Sequence, residues 1–295
     1  LCPILGGHPH GAPLEVATAI TCQVVAAGRV LRETESVTLS TTLDPRPTFG
    51  TLMRQWRLRR RLSQLDLALE ADVSARHVSF IETGRSTPSR TMVLRLAEVL
   101  DVPPREQNRL LLAAGYAPQY PERSLEDPDM TAIRTGIDRI LAAYNPFPCV
   151  VVDRGSQIVR ANEGAAILLD GVSPALLENP NALRIALHPD GLAPRIRNLG
   201  QWRHHLVERL RREVAAGGSA ELTRLLTEID SYPGGSGETA DLGVAVPLEL
   251  YTTDGRLLSF LSMVTTFGTA LDLTAAELSI EAFLPSDEAT AAALR

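Results

Sequence analysis

The chain has 295 residues, 44% hydrophobic and 22% charged, with a net charge of −6; this is enough for two folded domains and unlike a disordered or fibrous polypeptide. No run approaches the ~20 apolar residues of a membrane span, and the start lacks the basic and cleavage features of a secretory signal, so a cytoplasmic protein is expected. All 29 basic residues are arginine, and residues 49–118 hold 11 of them against 7 acids, whereas 119–295 hold 15 against 24. The acidic total argues weakly against nucleic-acid binding by bulk charge. The regional split restores that option for the first folded segment. Cys2, Cys22 and Cys149 cannot all pair and lack metal-ligand spacing, so they read as buried or incidental thiols.

Residues 1–47 carry Gly, Pro, Thr and Ser with little periodicity and are expected to be a disordered leader. The chain opens at Leu1 rather than Met, which leaves open whether this leader belongs to the native protein. Phe49, Leu52, Met53 and Trp56 then fall at i, i+3, i+4 and i+7 of a first helix. Ser63 is placed to cap a second helix over 64–70, and Ser74 a third from Ala75 to Thr83, closed by Gly84. Pro88 and Ser89 precede a fourth helix through Leu100, and Pro104 suits the first turn of a fifth, ending at Gly115. Five short helices over 48–118 make an all-α domain. Residues 119–131, rich in proline and charge, read as a linker.

The segment QLDLALEADVSARHVSFIE over 64–82 has the parts of a helix-turn-helix. Ala68 is small where two helices cross. Asp72 stands where the tight turn needs positive φ, a conformation Asp tolerates better than most residues. Val73, Val78 and Ile81 anchor the second helix, leaving Arg76, His77, Ser79 and Phe80 outward. The segment resembles the Cro and lambda-repressor-like (Xre) family across all five helices. That resemblance implies binding to double-stranded DNA, with a phosphate contact from Gln64 and base reading by Ala75, Arg76 and Phe80, with Ser74 and His77 beside them. It also implies backbone contacts from Arg85 and Ser86, and an internal ion pair of Arg57 with Glu82. Arg76 can fork onto a guanine and Phe80 can pack on a thymine methyl; arginines 54, 59, 60 and 61 add salt-sensitive attraction or are a solvated face.

From residue 132 the pattern changes to mixed α+β. CVVVD and QIVRAN, over 149–153 and 157–162, read as paired strands. VAVPLELYT and LLSFLSMVTT flank Asp254-Gly255 as a hairpin. Helical stretches are expected at 163–170 and 197–230, with a final helix after Thr274, where Thr274 and Glu277 have capping-box spacing. His188, Asp190 and His204 are only fragments of a catalytic site, since HPDG also reads as a turn and His204 and His205 point apart. No nucleophile elbow, phosphate-cradling loop or metal-type cysteine pair is present. The expectation is that the chain is not an enzyme and has no metal or cofactor.

The strings NPFPCVVVD, IVRANEGA, ALRIALHPDGLAPRIRNLGQW and TTFGTALDLTAAELSIEAFLPSDEAT resemble the MmyB-like regulators, which pair an Xre-type reader with a PAS-like ligand-binding domain and are common in actinobacteria. An all-arginine complement agrees with a GC-rich genome. The resemblance implies that 132–295 form that domain and enclose a small, largely apolar ligand, with a fatty-acyl group as one candidate. Trp202, Leu250, Leu258, Phe260 and Met263 are candidate wall residues, and Arg184, His188 and Arg195 candidate carboxylate anchors. Core packing is the plainer reading of the apolar set. A homodimer is expected, since such readers address paired half-sites. Two alternatives stay open: the second domain is only a dimerisation or protein-interaction module, or it is an enzyme fused to a DNA reader.

Overall fold

The computed structural model describes residues 47–217, 219–234, 245–268 and 270–295; the leader expected over 1–47 lies outside them, apart from Pro47. The chain divides into two compact units. Of the described residues, one unit contains those up to Leu125 with those of Thr269–Ala276, and the other those of Glu126–Gly268 with Glu277–Arg295.

The first unit is built from five helices: α1 (Phe49–Arg59), α2 (Gln64–Glu70), α3 (Ala75–Glu82), α4 (Arg90–Val99) and α5 (Pro104–Ala113). Their starts follow from side chains that satisfy otherwise orphaned N–H groups. Ser63 and Asp66 form a reciprocal capping box on α2, while Ser74 accepts from His77 N at 3.1 Å and Ser89 from Met92 N at 3.2 Å. Pro103 heads α5 without a side-chain cap, and Pro104 occupies the first turn, where a missing N–H loses nothing. The core joins Phe49, Met53 and Trp56 of α1 to Leu67 and Ala68 of α2, Val78 and Ile81 of α3, and residues of α4 and α5. Gly50 marks the closest approach: a Cβ there would lie 2.5 Å from the Glu82 carbonyl oxygen and 2.6 Å from that of Ile81.

Past α5 the expected linker is not loose. The Asn108 amide donates to Tyr120 O at 2.7 Å, and its carbonyl accepts from the N–H groups of Gln119 and Tyr120. Arg123 then meets Asp272 at 3.2 Å, and Leu273 N donates to Pro121 O at 2.9 Å. These partners are about 150 residues apart in sequence, a pairing that local pattern cannot signal.

The second unit is a PAS-like α+β fold. Helix α6 (Thr131–Tyr144) leads into β1 (Cys149–Val152) and β2 (Ile158–Ala161). Helices α7 (Ala166–Leu169), α8 (Pro174–Leu177), α9 (Ala182–Leu187), α10 (Leu199–Gly217) and α11 (Ala220–Asp230) follow. The chain closes with β3 (Leu248–Tyr251), β4 (Leu257–Thr266), α12 (Leu273–Glu277), β5 (Ser279–Pro285) and α13 (Glu288–Ala293). The five strands pair antiparallel in the order β2-β1-β5-β4-β3. Period-2 alternation sends Val150, Val152, Phe283, Leu250, Leu258 and Phe260 to one face, where they pack against α7, α9, α10 and α11. Helix α6 packs against β1 and buries Ile137 and Leu141.

One expectation is corrected here. The helix expected after Thr274 lasts five residues, and Thr274 N is capped by Asp272 Oδ1 at 2.9 Å rather than by a Thr274–Glu277 box. The chain then enters β5, the middle strand of the sheet. Its Ala, Glu and Leu content favours helix locally, but pairing on both edges with β1 and β4 overrides that preference.

Candidate functional site

Two places in the molecule carry chemistry, one in each unit. In the first, α2 and α3 are joined through Asp72, whose φ is +51°; its carboxylate meets Arg95 at 3.2 Å. Helix α3 buries Val78 and Ile81 completely and turns Arg76 outward. The guanidinium carbon of Arg76 lies 5.1 Å from the Phe80 ring centre and that of Arg85 5.9 Å, so the ring is flanked by two cations. The loop after α3 folds back on the same residue: Arg85 N and Ser86 N both donate to Phe80 O, at 2.8 and 3.2 Å. Ser74 and Arg85 are exposed, while Ala75, His77 and Ser86 are half-buried beside them.

Behind this surface lies a polar knot. Arg57 Nε donates to Glu82 Oε1 at 2.6 Å and Nη2 to Oε2 at 3.1 Å, with Nη1 on the Leu62 carbonyl at 2.8 Å. Gln64 Nε2 donates to Glu82 Oε2 at 2.7 Å. Burial alone would raise the Glu82 carboxyl, but the hydrogen bonds from Arg57 and Gln64 outweigh it and hold the group below the usual range. The Gln64 amide is therefore fixed from behind, with its second N–H still to offer. The arginines behave unequally. Arg60 caps the end of α4, donating to Leu100 O at 2.7 Å and Asp101 O at 2.5 Å, so its group already has partners inside the fold. Arg59 lies over Trp56 at 5.0 Å, and Arg54 and Arg61 are exposed.

In the second unit, helices and sheet enclose a cavity of about 60 Å³. Val150, Leu248 and Phe283 line it from the sheet; Leu169, Leu183 and Ile185 from short helices; Trp202 and Leu206 from α10. Its one carboxylate, Glu281, is buried and hydrogen-bonded by Arg209. The wall thus offers apolar contact and no free charge. A cavity of this size is well below the ~150 Å³ that holds a benzene ring. Cys149 is buried on the other face of the sheet, and burial pushes its thiol up to about 11, away from redox reactivity at neutral pH. Among the described residues no His, Cys, Asp or Glu cluster could hold a metal ion, and no helix is long and apolar enough to cross a membrane.

Residues 133–295 match the family model of the MmyB-like transcription regulator ligand binding domain. The chain belongs to the MmyB-like regulators. Residues 53–107 match a helix-turn-helix model, which covers the α2–α3 surface. An uncharacterised HTH-type transcriptional regulator of Bacillus subtilis (strain 168), RghRB, is 37% identical over 79 residues, 26% of this chain and 55% of that protein. The chain thus spans about half the length of this curated relative. A solved structure of an RNA-binding Light-Oxygen-Voltage receptor aligns over 97% of this chain and 68% of its own, at 13% identity and a TM-score of 0.27.

Within this MmyB-like regulator, Ser74, Ala75, Arg76, His77 and Phe80 belong to α3 and its cap, Arg85 and Ser86 to the loop bonded back to Phe80 O, and Gln64 to α2, where it donates to Glu82 of α3. The eight ligand candidates do not gather. Trp202 alone lines the cavity. Leu250, Leu258 and Phe260 are buried in the core around it. Met263 is 41% exposed, because it shares strand parity with Leu257 and Leu261 and faces away from Phe260. Arg184 is engaged by Glu228 at 2.7 and 2.8 Å, with Tyr232 donating to the same carboxylate. His188 packs edge-on to Tyr232 and accepts from Asp190 N at 3.0 Å. Arg195 is buried at its tip with no hydrogen-bond partner. Wall residues that sequence reasoning missed include Leu206, one helical turn beyond Trp202, and Leu183 and Ile185 of α9. The i, i+4 spacing of Trp202, Leu206 and Leu210 was a readable signal.

Proposed function

We propose that the protein is a homodimeric transcription regulator that binds duplex DNA through α2 and α3 and responds to a small apolar ligand held against Trp202. The observation that carries the DNA half is the outward Arg76 held against Phe80. A guanidinium offers a bidentate pair to guanine O6 and N7 only when its fork is steady, and stacking on an aromatic face steadies it. Phe80 then acts as a platform between Arg76 and Arg85 in addition to any contact with a thymine methyl. Gln64, braced by Glu82, is the register-setting phosphate contact. Two copies would address half-sites ~34–36 Å apart. Arg76→Ala is expected to lower affinity for the cognate operator about tenfold or more while leaving random DNA little changed. Gln64→Ala should weaken both alike. Competition binding at fixed salt reads this out, and equal loss on cognate and random DNA for Arg76→Ala would overturn the assignment.

The sensing half rests on an almost wholly apolar wall in a domain of a ligand-binding family. Linkage requires only that the ligand prefer one state of the readers. One observation favours a second reading, in which the domain is a dimerisation module: the cavity holds about 60 Å³, too little for a long acyl chain unless the helices part. Native mass spectrometry of the full chain separates the two. A dimer with excess mass that leaves on denaturation supports sensing; a dimer of bare mass that gains nothing from added apolar compounds supports the module.

A further inference from the structure

The edge of a β-sheet presents backbone N–H and C=O groups that must find partners in the fold, in water or in another chain. In the second unit much of the edge is occupied. At β3, Glu249 O accepts from Arg197 N at 2.8 Å, and Glu249 N donates to Asn198 Oδ1 at 3.2 Å. At the start of β2, Ile158 N donates to Pro180 O and Ala182 N to Ser156 O, each at 2.8 Å. Strand β3 is only four residues long, however, and its pairing with the ten-residue β4 ends at Phe260. Beyond that point β4 runs on in unbroken register against β5 to Thr266.

The groups left facing outward can be named, because backbone direction alternates along an antiparallel strand. Ser259 O faces β5, where it accepts from Ser286 N at 2.9 Å, whereas Arg256 O faces the β3 side and accepts from Thr252 N at 2.8 Å. Even-numbered residues therefore turn toward β3, and past its end these are Ser262, Val264 and Thr266. Among the described residues no backbone bond reaches these three from that side. Proteins blunt such an edge with a charge, a proline or a bulge. Residues 261–266 read LSMVTT and carry none of the three. Leu261, Met263 and Val264 are also 42%, 41% and 45% exposed, in a sequence that favours strand pairing.

We propose that the 261–266 edge of β4 pairs antiparallel with the same edge of a second copy, joining two five-stranded sheets into one. This rests on the homodimer in the reading above and adds to it the place and register of the interface. Charge and symmetry favour a second copy over a foreign strand. Residues 257–268 are uncharged throughout, so two copies meet with no like charges opposed. The same strip gives a foreign strand no charged side chain to select. A two-fold pairing also uses both bare edges at once and closes the assembly. The register that engages all three edge-facing residues on both copies centres on Val264. Val264 then faces its own counterpart, Ser262 faces the partner's Thr266, and Met263 faces the partner's Thr265.

The test is sedimentation velocity of the full chain, with thermal melts of each variant to report folding. A pair of short strands falls below the ~1,200 Å² of a standard interface, so wild type should dimerise reversibly between about 1 and 100 µM. Val264→Pro removes an N–H from the bare side and none from the β4–β5 ladder. It should weaken dimerisation at least about tenfold while melting near wild type. Met263→Lys with Thr265→Lys sets lysine opposite lysine twice and should do the same. Met263→Lys with Thr265→Glu sets opposite charges together and should stay within about threefold of wild type. Equal dissociation of the two double variants would overturn the proposed pairing. Dimers that persist in all three variants would overturn it too, leaving the homodimer to another surface. A wild type that is monomeric throughout sinks the pairing and the homodimer together. A monomer whose melt also falls sharply in Val264→Pro would mean that the edge is covered within its own chain.

Discussion

Replacing Glu82 by Gln changes one atom and removes one charge from the knot behind α3. The side chains of Arg57 and Glu82 are only 8% and 3% exposed, so the guanidinium would stay buried with a neutral neighbour. Deleting one partner of a buried pair costs about 3–5 kcal/mol. The amide can still accept from Arg57, which puts the expectation near the lower end, about 3 kcal/mol. In a helical unit of this size each kcal/mol moves the midpoint by ~4–8 °C, so a fall of ~12–24 °C follows. Trp56 is buried in α1 of the same unit and the chain has two tryptophans. Thermal unfolding in a Trp202→Phe background therefore reads that unit by fluorescence. The wild-type pair should also show a pH signature. The Glu82 carboxyl sits below its ordinary 4.5 in the folded state, so its contribution is present above that value and fades as pH falls through the folded one. The gap between wild type and Glu82→Gln must then narrow below pH 4.5. A loss under about 1 kcal/mol at pH 7, or a gap that stays constant into acid, would refute the idea that this pair holds α1 to α3.

Gly50→Ala should destabilise the first unit by more than about 2 kcal/mol, since the added methyl meets backbone oxygens that have no rotamer to yield; urea denaturation measures it. Asp72→Ala should be about 1 kcal/mol less stable than Asp72→Gly, because the turn holds φ at +51°; a reversed order in the same urea assay would count against that strain. His205 stacks on Trp202, and burial, aided by nearby Arg209 and Arg212, keeps its folded pKa below the ordinary 6.5. The unfolded chain therefore takes up the proton first, so stability is complete above pH 6.5 and declines as pH falls through the folded value. His205→Gln should flatten the fall below pH 6.5 in a pH series of midpoints, and an unchanged slope would exclude His205 as its source.

Most of the first unit was legible because its cues are local. Ser63, Ser74, Ser89 and Pro104 mark helix starts that the fold uses, and Asp72 takes the positive φ its place requires. The same residues gather Arg76, Phe80 and Arg85 on one surface. What sequence could not show was how those three stack, since ring-to-guanidinium distance depends on rotamers. The sheet was half legible. Both hairpins declared themselves through alternation and Asp254-Gly255, yet β5 was hidden by residues that prefer helix, and its strand character comes only from neighbours more than 100 residues away on one side. The cavity was least legible. Its wall mixes residues from strands and three helices, and an apolar position reads the same whether it borders space or fills it. Met263 illustrates this, a strand residue whose parity, rather than its chemistry, turns it outward.

Among the described residues the chain passes between its two units three times: after Leu125, after Gly268 and after Ala276. The loop between the neighbouring strands β4 and β5 therefore belongs to the unit that reads DNA, where Asp272 and Leu273 hold Arg123 and Pro121. Modular exchange is harder than the order of domains suggests. Grafting this sensor onto another reader by a single junction near residue 125 would leave an eight-residue tenant without its host. A faithful chimera needs three splice points, so that the 269–276 segment travels with the helices it fits.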